Sequence, residues 1–171
     1  MSRIKLTDPE AATGTVGEIF GEIKKTFGMV PHLFRAYANN VDLLRTNWEK
    51  HKAIMVQGEL SRKTKESMAL TISAANDCHY CVVAHSMALK MLKVAEAEIE
   101  KIKRLEFDDE RESAIVNFAF KAGTDPHRVT DQDLQRLRDL AFSDKQILEA
   151  LGVMEIFSAY NRFLDALDVP L

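Results

Sequence analysis

The chain has 171 residues, 46% hydrophobic and 29% charged, with a net charge of −3 and only two cysteines. That length suits one domain around one core, completed where necessary by oligomerisation. The acidic balance and the lack of a Lys/Arg block exclude the electrostatic footprint of a nucleic-acid binder, and no apolar run approaches the roughly 20 residues that span a bilayer. The opening MSRIKLTDPE carries no apolar h-region and no small-residue cleavage site, so no secretory signal is expected and the protein is placed in the cytoplasm.

Helical signals dominate from Thr15 onward, and no alternating strand segment interrupts them. Val16, Ile19, Phe20, Ile23 and Phe27 recur at helical spacing, with Gly28 as a C-cap. Gly14, Gly17 and Gly21 weaken this first helix by roughly 1 kcal/mol for each that lies in its interior, so it depends on packing. Pro31 suits the first position of a short helix over His32 to Ala38. Leu43, Leu44, Trp48, His51, Ile54 and Met55 then form one broad stripe that Gly58 ends. Phe27, His51 and Trp48 could wall a substrate pocket, although no pattern assigns one.

Ser61 caps a helix carrying Glu66, Met68, Ala69, Ile72 and Ala75, which should break at Asn76-Asp77. Either of those two would cap the next helix, Cys78 to about Leu92, and Glu96 to Leu105 forms another. Asp108 or Asp109 starts a helix through Ile115, Phe118 and Ala119 that ends near Gly123, and TDPH is a turn. Thr130 with Asp133, and Ser143 with Gln146, fit capping boxes. The last helix, Asp144 to about Leu167, is apolar on more than one side and should be central to a bundle or a subunit contact. A weak internal echo sets Glu66 and Cys78 beside Glu149 and Asn161 at equal spacing. The expected architecture is an all-α helical bundle, one domain over residues 1–171, with a catalytic helix pair at about 62–92. Met55, Met68, Met87 and Met91 read as core filler, and the Lys/Arg residues of RKTK and KIKR as solvated helix faces.

The chemistry concentrates in one segment. Cys78 and Cys81 are i, i+3 neighbours on a helix, and Cys81 and His85 are i, i+4 neighbours, so all three side chains can share one face. So short a loop is a poor structural staple, and a pair at this spacing in a reducing compartment is redox-active or metal-binding. Cys78 falls in the first turn, where unpaired N–H groups and the helix dipole favour a thiolate. An unperturbed thiol, with pKa about 8.5, is only a few per cent ionised at neutral pH. His85 can act as base for Cys81, and Glu66 is a candidate to orient His85, the nucleophile–base–orienter arrangement of covalent catalysis. Cys81 is therefore the candidate nucleophile toward a hydroperoxide, and Cys78 the resolving thiol. An external dithiol would restore the pair by exchange, with no bound cofactor or metal.

Glu66, a Cys-x-x-Cys twelve residues on at Cys78 and Cys81, and His85 four residues after the second cysteine resemble the pattern of the AhpD-like alkylhydroperoxidase family, within the carboxymuconolactone decarboxylase superfamily. The context Asn76 to His85, Ala88 and Leu89 is similar to its peroxidase-related group, and the likeness runs from the Gly-rich first helix and Val30-Pro31 to Tyr160-Asn161-Arg162. The resemblance implies an all-α fold assembled into trimers or hexamers, and a proton relay from Cys81 through His85, directly or by way of water, to Glu66. The best-studied members carry a histidine directly before the second cysteine; Tyr80 stands there in this chain, with His79 one residue earlier. A phenol hydrogen-bonds but is no base near neutral pH.

Blander readings compete with this one. A structural zinc site needs four ligands, of which Cys78, Cys81 and His85 supply three, leaving His79 or the distant His32, His51 or His127 to complete it. A c-type haem site needs His directly after the second cysteine, where Val82 stands, and a thioredoxin fold needs a preceding strand. Three functions follow: a thiol-dependent hydroperoxide reductase, a non-enzymatic redox sensor or exchange protein using the same cysteines, and a decarboxylase or lactone-processing enzyme, for which a dithiol is superfluous.

Overall fold

A computed structural model describes residues 2–171. Nine α-helices occur among the described residues, and no strand. They are α1 (Gly14–Phe27), α2 (His32–Tyr37), α3 (Val41–His51), α4 (Arg62–Ala75), α5 (His79–Met91), α6 (Glu96–Lys103), α7 (Glu110–Thr124), α8 (Asp131–Asp139) and α9 (Asp144–Ala166). A π-helical turn, Lys52–Val56, continues α3, and a 3₁₀ turn, Pro126–Arg128, stands where TDPH reads as a turn. Among the described residues no helix is long and apolar enough to cross a membrane.

The boundaries follow the punctuation of the sequence. Gly28 ends α1 in the left-handed conformation, φ 78°, its N–H donating to the Lys24 carbonyl. Ser61 accepts from the Thr64 N–H, and both expected capping boxes form. Pro31 serves as the N-cap of α2, one position earlier than its fixed φ suggests. The stripe from Leu43 to Met55 is not one α-helix, because the π turn inserts after His51 and re-aims Met55 inward.

Helix α4 is the hub, packed against α5, α7 and α9. Every side chain from Lys65 to Ser73 is buried, which a helix achieves only when neighbours cover it on all sides. Its small residues, Ser67, Ala69 and Ser73, allow that close approach. The main core joins α1, α2 and α3 to α4, α7 and α9, while Leu70, Leu89, Ile99 and Ile102 form a second cluster that seats α6.

Three expectations are overturned here. Met87 and Met91 are exposed, because α5 is covered on one side only, whereas Met55 and Met68 are core as expected. Leu43 and Leu148 likewise face out, so the stripes of α3 and α9 are narrower than their apolar content suggests. Lys65 of the RKTK run is buried, not solvated, and its ammonium meets Glu149 of α9 at 2.5 Å.

Candidate active site

The turn between α4 and α5 sets the two cysteines. Asn76 closes α4, Asp77 takes the left-handed conformation at φ 54°, and the Cys78 N–H returns to the Ser73 carbonyl at 3.0 Å. Asp tolerates that conformation better than most residues, so it serves the turn and leaves the cap to its neighbour. Cys78 itself is the N-cap of α5, and its carbonyl accepts from the Val82 N–H at 3.0 Å. The expectation of Asn76 or Asp77 as cap, with Cys78 inside the first turn, is corrected by one residue.

Both cysteines are free thiols and both are buried. The Cys78 thiol is held below its ordinary value: the Cys81 thiol hydrogen-bonds to it, and the Cys81 backbone N–H helps, against burial and the Asp165 carboxylate. Cys81 is pushed up, first because its proton is shared with Cys78, then by burial and the Cys78 charge, with the Ser73 hydroxyl opposing. Of the two, Cys78 is therefore the thiol that ionises more readily, with Cys81 hydrogen-bonded to it.

The imidazole of His85 is held from two sides. Its Nδ1 lies 2.6 Å from Glu66 Oε2, and the Phe157 ring meets it edge-on with centroids 4.4 Å apart. With Nδ1–H donating to a carboxylate, Nε2 is left to accept a proton. Glu66 is 1% exposed. Burial alone would raise its carboxyl, but the His85 charge and hydrogen bond, the Arg62 guanidinium and His51 outweigh it, so Glu66 stays below the usual carboxylate range. Arg62 holds the second Glu66 oxygen at 2.6 Å and donates to the Met55 carbonyl at 2.8 Å, tying the Glu66–His85 pair to the π turn.

Cys81, His85 and Glu66 line one cavity of about 210 Å³, whereas Cys78 is not in its wall. The rest of the wall is mainly apolar and aromatic, including Phe27, Phe34, Met55, Phe157 and Leu164. His51 also lines it, and Trp48, suggested beside Phe27 and His51 as a wall, is packed behind them. Tyr80 contributes to the lining, and burial raises its phenol, opposed by the backbone of Leu33 and His32 at the start of α2. Phenol and peptide thus join α5 to α2, where the family's usual histidine would offer a base. His79 points to solvent, and among the described residues no group of three or more His, Cys, Asp or Glu side chains is disposed to hold a metal ion.

The comparisons meet this geometry. The carboxymuconolactone decarboxylase family profile matches residues 42–119, which run from α3 through the relay to α7. A peroxidase-related protein from Silicibacter sp. TM1040 superposes with a TM-score of 0.87 at 26% identity, over 99% of this chain and 91% of that one. An AhpD-core, peroxidase-related protein from Ralstonia eutropha JMP134 superposes with a TM-score of 0.88, also at 26% identity, over 99% and 91%. The fold is AhpD-like, and residues 42–119 match the carboxymuconolactone decarboxylase family. The same fold serves the debrominase Bmp8, solved in complex with a tribromopyrrole, at 20% identity over 99% of this chain and 93% of that one, with a TM-score of 0.82. An alkyl hydroperoxide reductase of Mycobacterium tuberculosis is 28% identical over 89 residues, 52% of this chain, and the chain spans about a quarter (26%) of that curated relative's length.

Of the four residues singled out in the sequence, Glu66 and His85 are in direct contact and share a cavity wall with Cys81, whereas Cys78 pairs with Cys81 outside that wall. Sequence reasoning missed Arg62, Ser73, Phe157 and Asp165. Arg62 had a local signal, its i, i+4 spacing to Glu66; the others enter through tertiary packing.

Proposed function

We propose that the protein is a thiol-dependent reductase of organic hydroperoxides in the cytoplasm, with Cys81 as nucleophile, Cys78 as resolving thiol, and His85 and Glu66 as the proton relay. The observation that carries this reading is the shared cavity, in which the Cys81 thiol, an oriented imidazole and a buried carboxylate meet a mainly apolar space. The peroxidase-related neighbours and the reductase relative point the same way.

In this scheme His85 Nε2 takes the Cys81 proton, and Glu66 stabilises the resulting imidazolium. The Cys81 thiolate attacks the outer peroxide oxygen, forming an S–O bond as the O–O bond breaks. The departing alkoxide takes the proton from His85 and leaves as alcohol. Cys78 then attacks the sulfenic sulfur; the S–S bond forms as the S–O bond breaks, and the departing hydroxide takes the proton given up by the Cys78 thiol and leaves as water. An external dithiol, whether a small thiol or a redox protein, returns two electrons and two protons by exchange. A cytosolic setting suits a cycle that consumes dithiol.

Cys81→Ser should abolish hydroperoxide consumption with dithiothreitol, and Cys78→Ser should leave a sulfenic acid on Cys81 that a dimedone probe captures. Unchanged turnover in the Cys81 variant rejects the assignment, and a single stoichiometric oxidation without steady turnover would make the protein a redox switch instead. The outer face of α5 exposes Met87, Met91 and Leu92, and we propose that a trimer or hexamer covers it; a monomeric mass by light scattering would refute that.

A further inference from the structure

His51 ends α3 where the α-helix passes into the π turn. It is 7% exposed, and neither Nδ1 nor Nε2 meets a hydrogen-bonding group of the protein. Its ring stacks on Trp48 and Tyr160 and meets Phe27, Phe34 and Phe157 edge-on. Burial, chiefly, with Arg62 adding to it, holds the imidazole neutral, its pKa lowered to about 3. An imidazole buried without partners is unfavourable by roughly 1–3 kcal/mol relative to one that is satisfied. Phenylalanine or leucine would fill this aromatic nest without that penalty. His51 lines the cavity of Cys81 and His85; both ring nitrogens are closed to solvent, and a molecule seated against the ring is the partner that its neutral N–H donor and N acceptor lack. The π turn beside it fits, because such insertions gather at functional sites.

The cavity also restricts what that molecule is. Its one cation, Arg62, is already engaged by Glu66 and the Met55 carbonyl, so no charge is free to hold an anion. Its walls are rings and aliphatic chains. A dry cavity of about 150 Å³ is enough to hold benzene, so about 210 Å³ leaves room for a substituted ring.

We infer that His51 is the recognition group for an uncharged, ring-bearing organic substrate, whose ring lies among the aromatic side chains and whose polar group hydrogen-bonds to the imidazole. This rests on the reductase reading only for the reaction, not for the binding. The test therefore has two arms. In the first, kcat/KM with dithiothreitol is compared for cumene hydroperoxide and hydrogen peroxide in the wild type, His51→Phe and His51→Gln. The preference for the aromatic peroxide should fall about tenfold or more in His51→Phe and recover in part in His51→Gln, whose amide restores a neutral donor and acceptor. In the second, the non-reactive alcohol 2-phenylpropan-2-ol is titrated into each protein and followed by imidazole ¹⁵N shifts. Binding that moves the His51 nitrogens and weakens tenfold in His51→Phe supports the inference even if no peroxide is turned over. An unchanged preference in His51→Phe, or an alcohol that binds without moving those shifts or not at all, overturns it, and His51 is then a strained core residue only.

Discussion

Lys65 and Glu66 are successive residues of α4, both buried, each paired with a side chain of another helix, and they sit in opposite settings. Lys65 meets Glu149 of α9 and the Gln57 carbonyl, and Glu149 also accepts from the Glu59 N–H at 2.8 Å and from Leu60. That cluster pins the loop before α4 against α9. Gly58 is part of the device: its φ is +95°, and a Cβ there would run into the Glu149 carboxylate. Glu66 meets His85 of α5 and looks into the cavity. The difference lies in the partner. An ammonium held by a carboxylate and a backbone carbonyl away from the cavity acts as a strut, whereas an imidazole held by a carboxylate at the cavity wall keeps a second ring nitrogen to offer.

The sharpest way to break the contrast is to neutralise each site in turn. Glu66→Gln keeps size and burial but cannot hold an imidazolium, so turnover should fall about 10²–10⁴-fold, the usual worth of a general base. Its melting temperature should fall by less than its turnover, since the charge pairing with His85 and Arg62 is lost while the shape and a hydrogen bond to His85 are kept. Lys65→Met should do the reverse. It leaves Glu149 as a buried carboxylate without its cation, a loss of about 3–5 kcal/mol, read as a lower urea midpoint, with kcat/KM of the surviving folded protein within a few-fold. Equal effects on activity and stability in both variants would erase the distinction.

Why the sequence reveals one of these neighbours and not the other is a matter of range. Cys78, Cys81 and His85 share one stretch of helix, so spacing alone groups them, while Glu66 one helix earlier is a candidate that only the α4–α5 packing joins to His85; the all-α class and most helix ends are legible from caps and periodicity. Lys65 sits in a run that reads as solvent-exposed, and its burial is decided by α9, which follows some eighty residues later. The same holds for His51, whose surroundings come from α1, α2 and α9. Met87 and Met91 fail for the opposite reason, since an apolar side chain on a helix does not say whether its own chain covers it.

Acid sharpens the comparison further. A histidine with an ordinary pKa of 6.5 unfolded and about 3 folded binds its proton more readily in the unfolded chain. His51 therefore contributes stability that is complete above about pH 6.5 and is lost progressively as pH falls toward 3, by up to about 1.4 kcal/mol per pH unit. Glu66, held below its usual range, adds a loss that begins only below about pH 4.5. Unfolding midpoints taken from pH 7 to 4 should decline in the wild type and flatten in His51→Phe over pH 6.5 to 4.5.

The smallest effect separates buried from exposed charge at the site itself. Asp165, on the solvent side of α9, lies against Cys78, and its carboxylate opposes thiolate formation on both cysteines. Asp165→Asn removes that charge and keeps the shape, so the first proton should leave the cysteine pair at lower pH, and the acid limb of the rate profile should move down with it. Because the carboxylate is exposed, added salt screens it, and the gap between wild type and variant should narrow as ionic strength rises. The Glu66→Gln defect, set in a buried pair, should not respond to salt in this way. A gap for Asp165→Asn that persists at molar salt would mean the carboxylate acts on Cys78 as a hydrogen-bonding group and not as a charge.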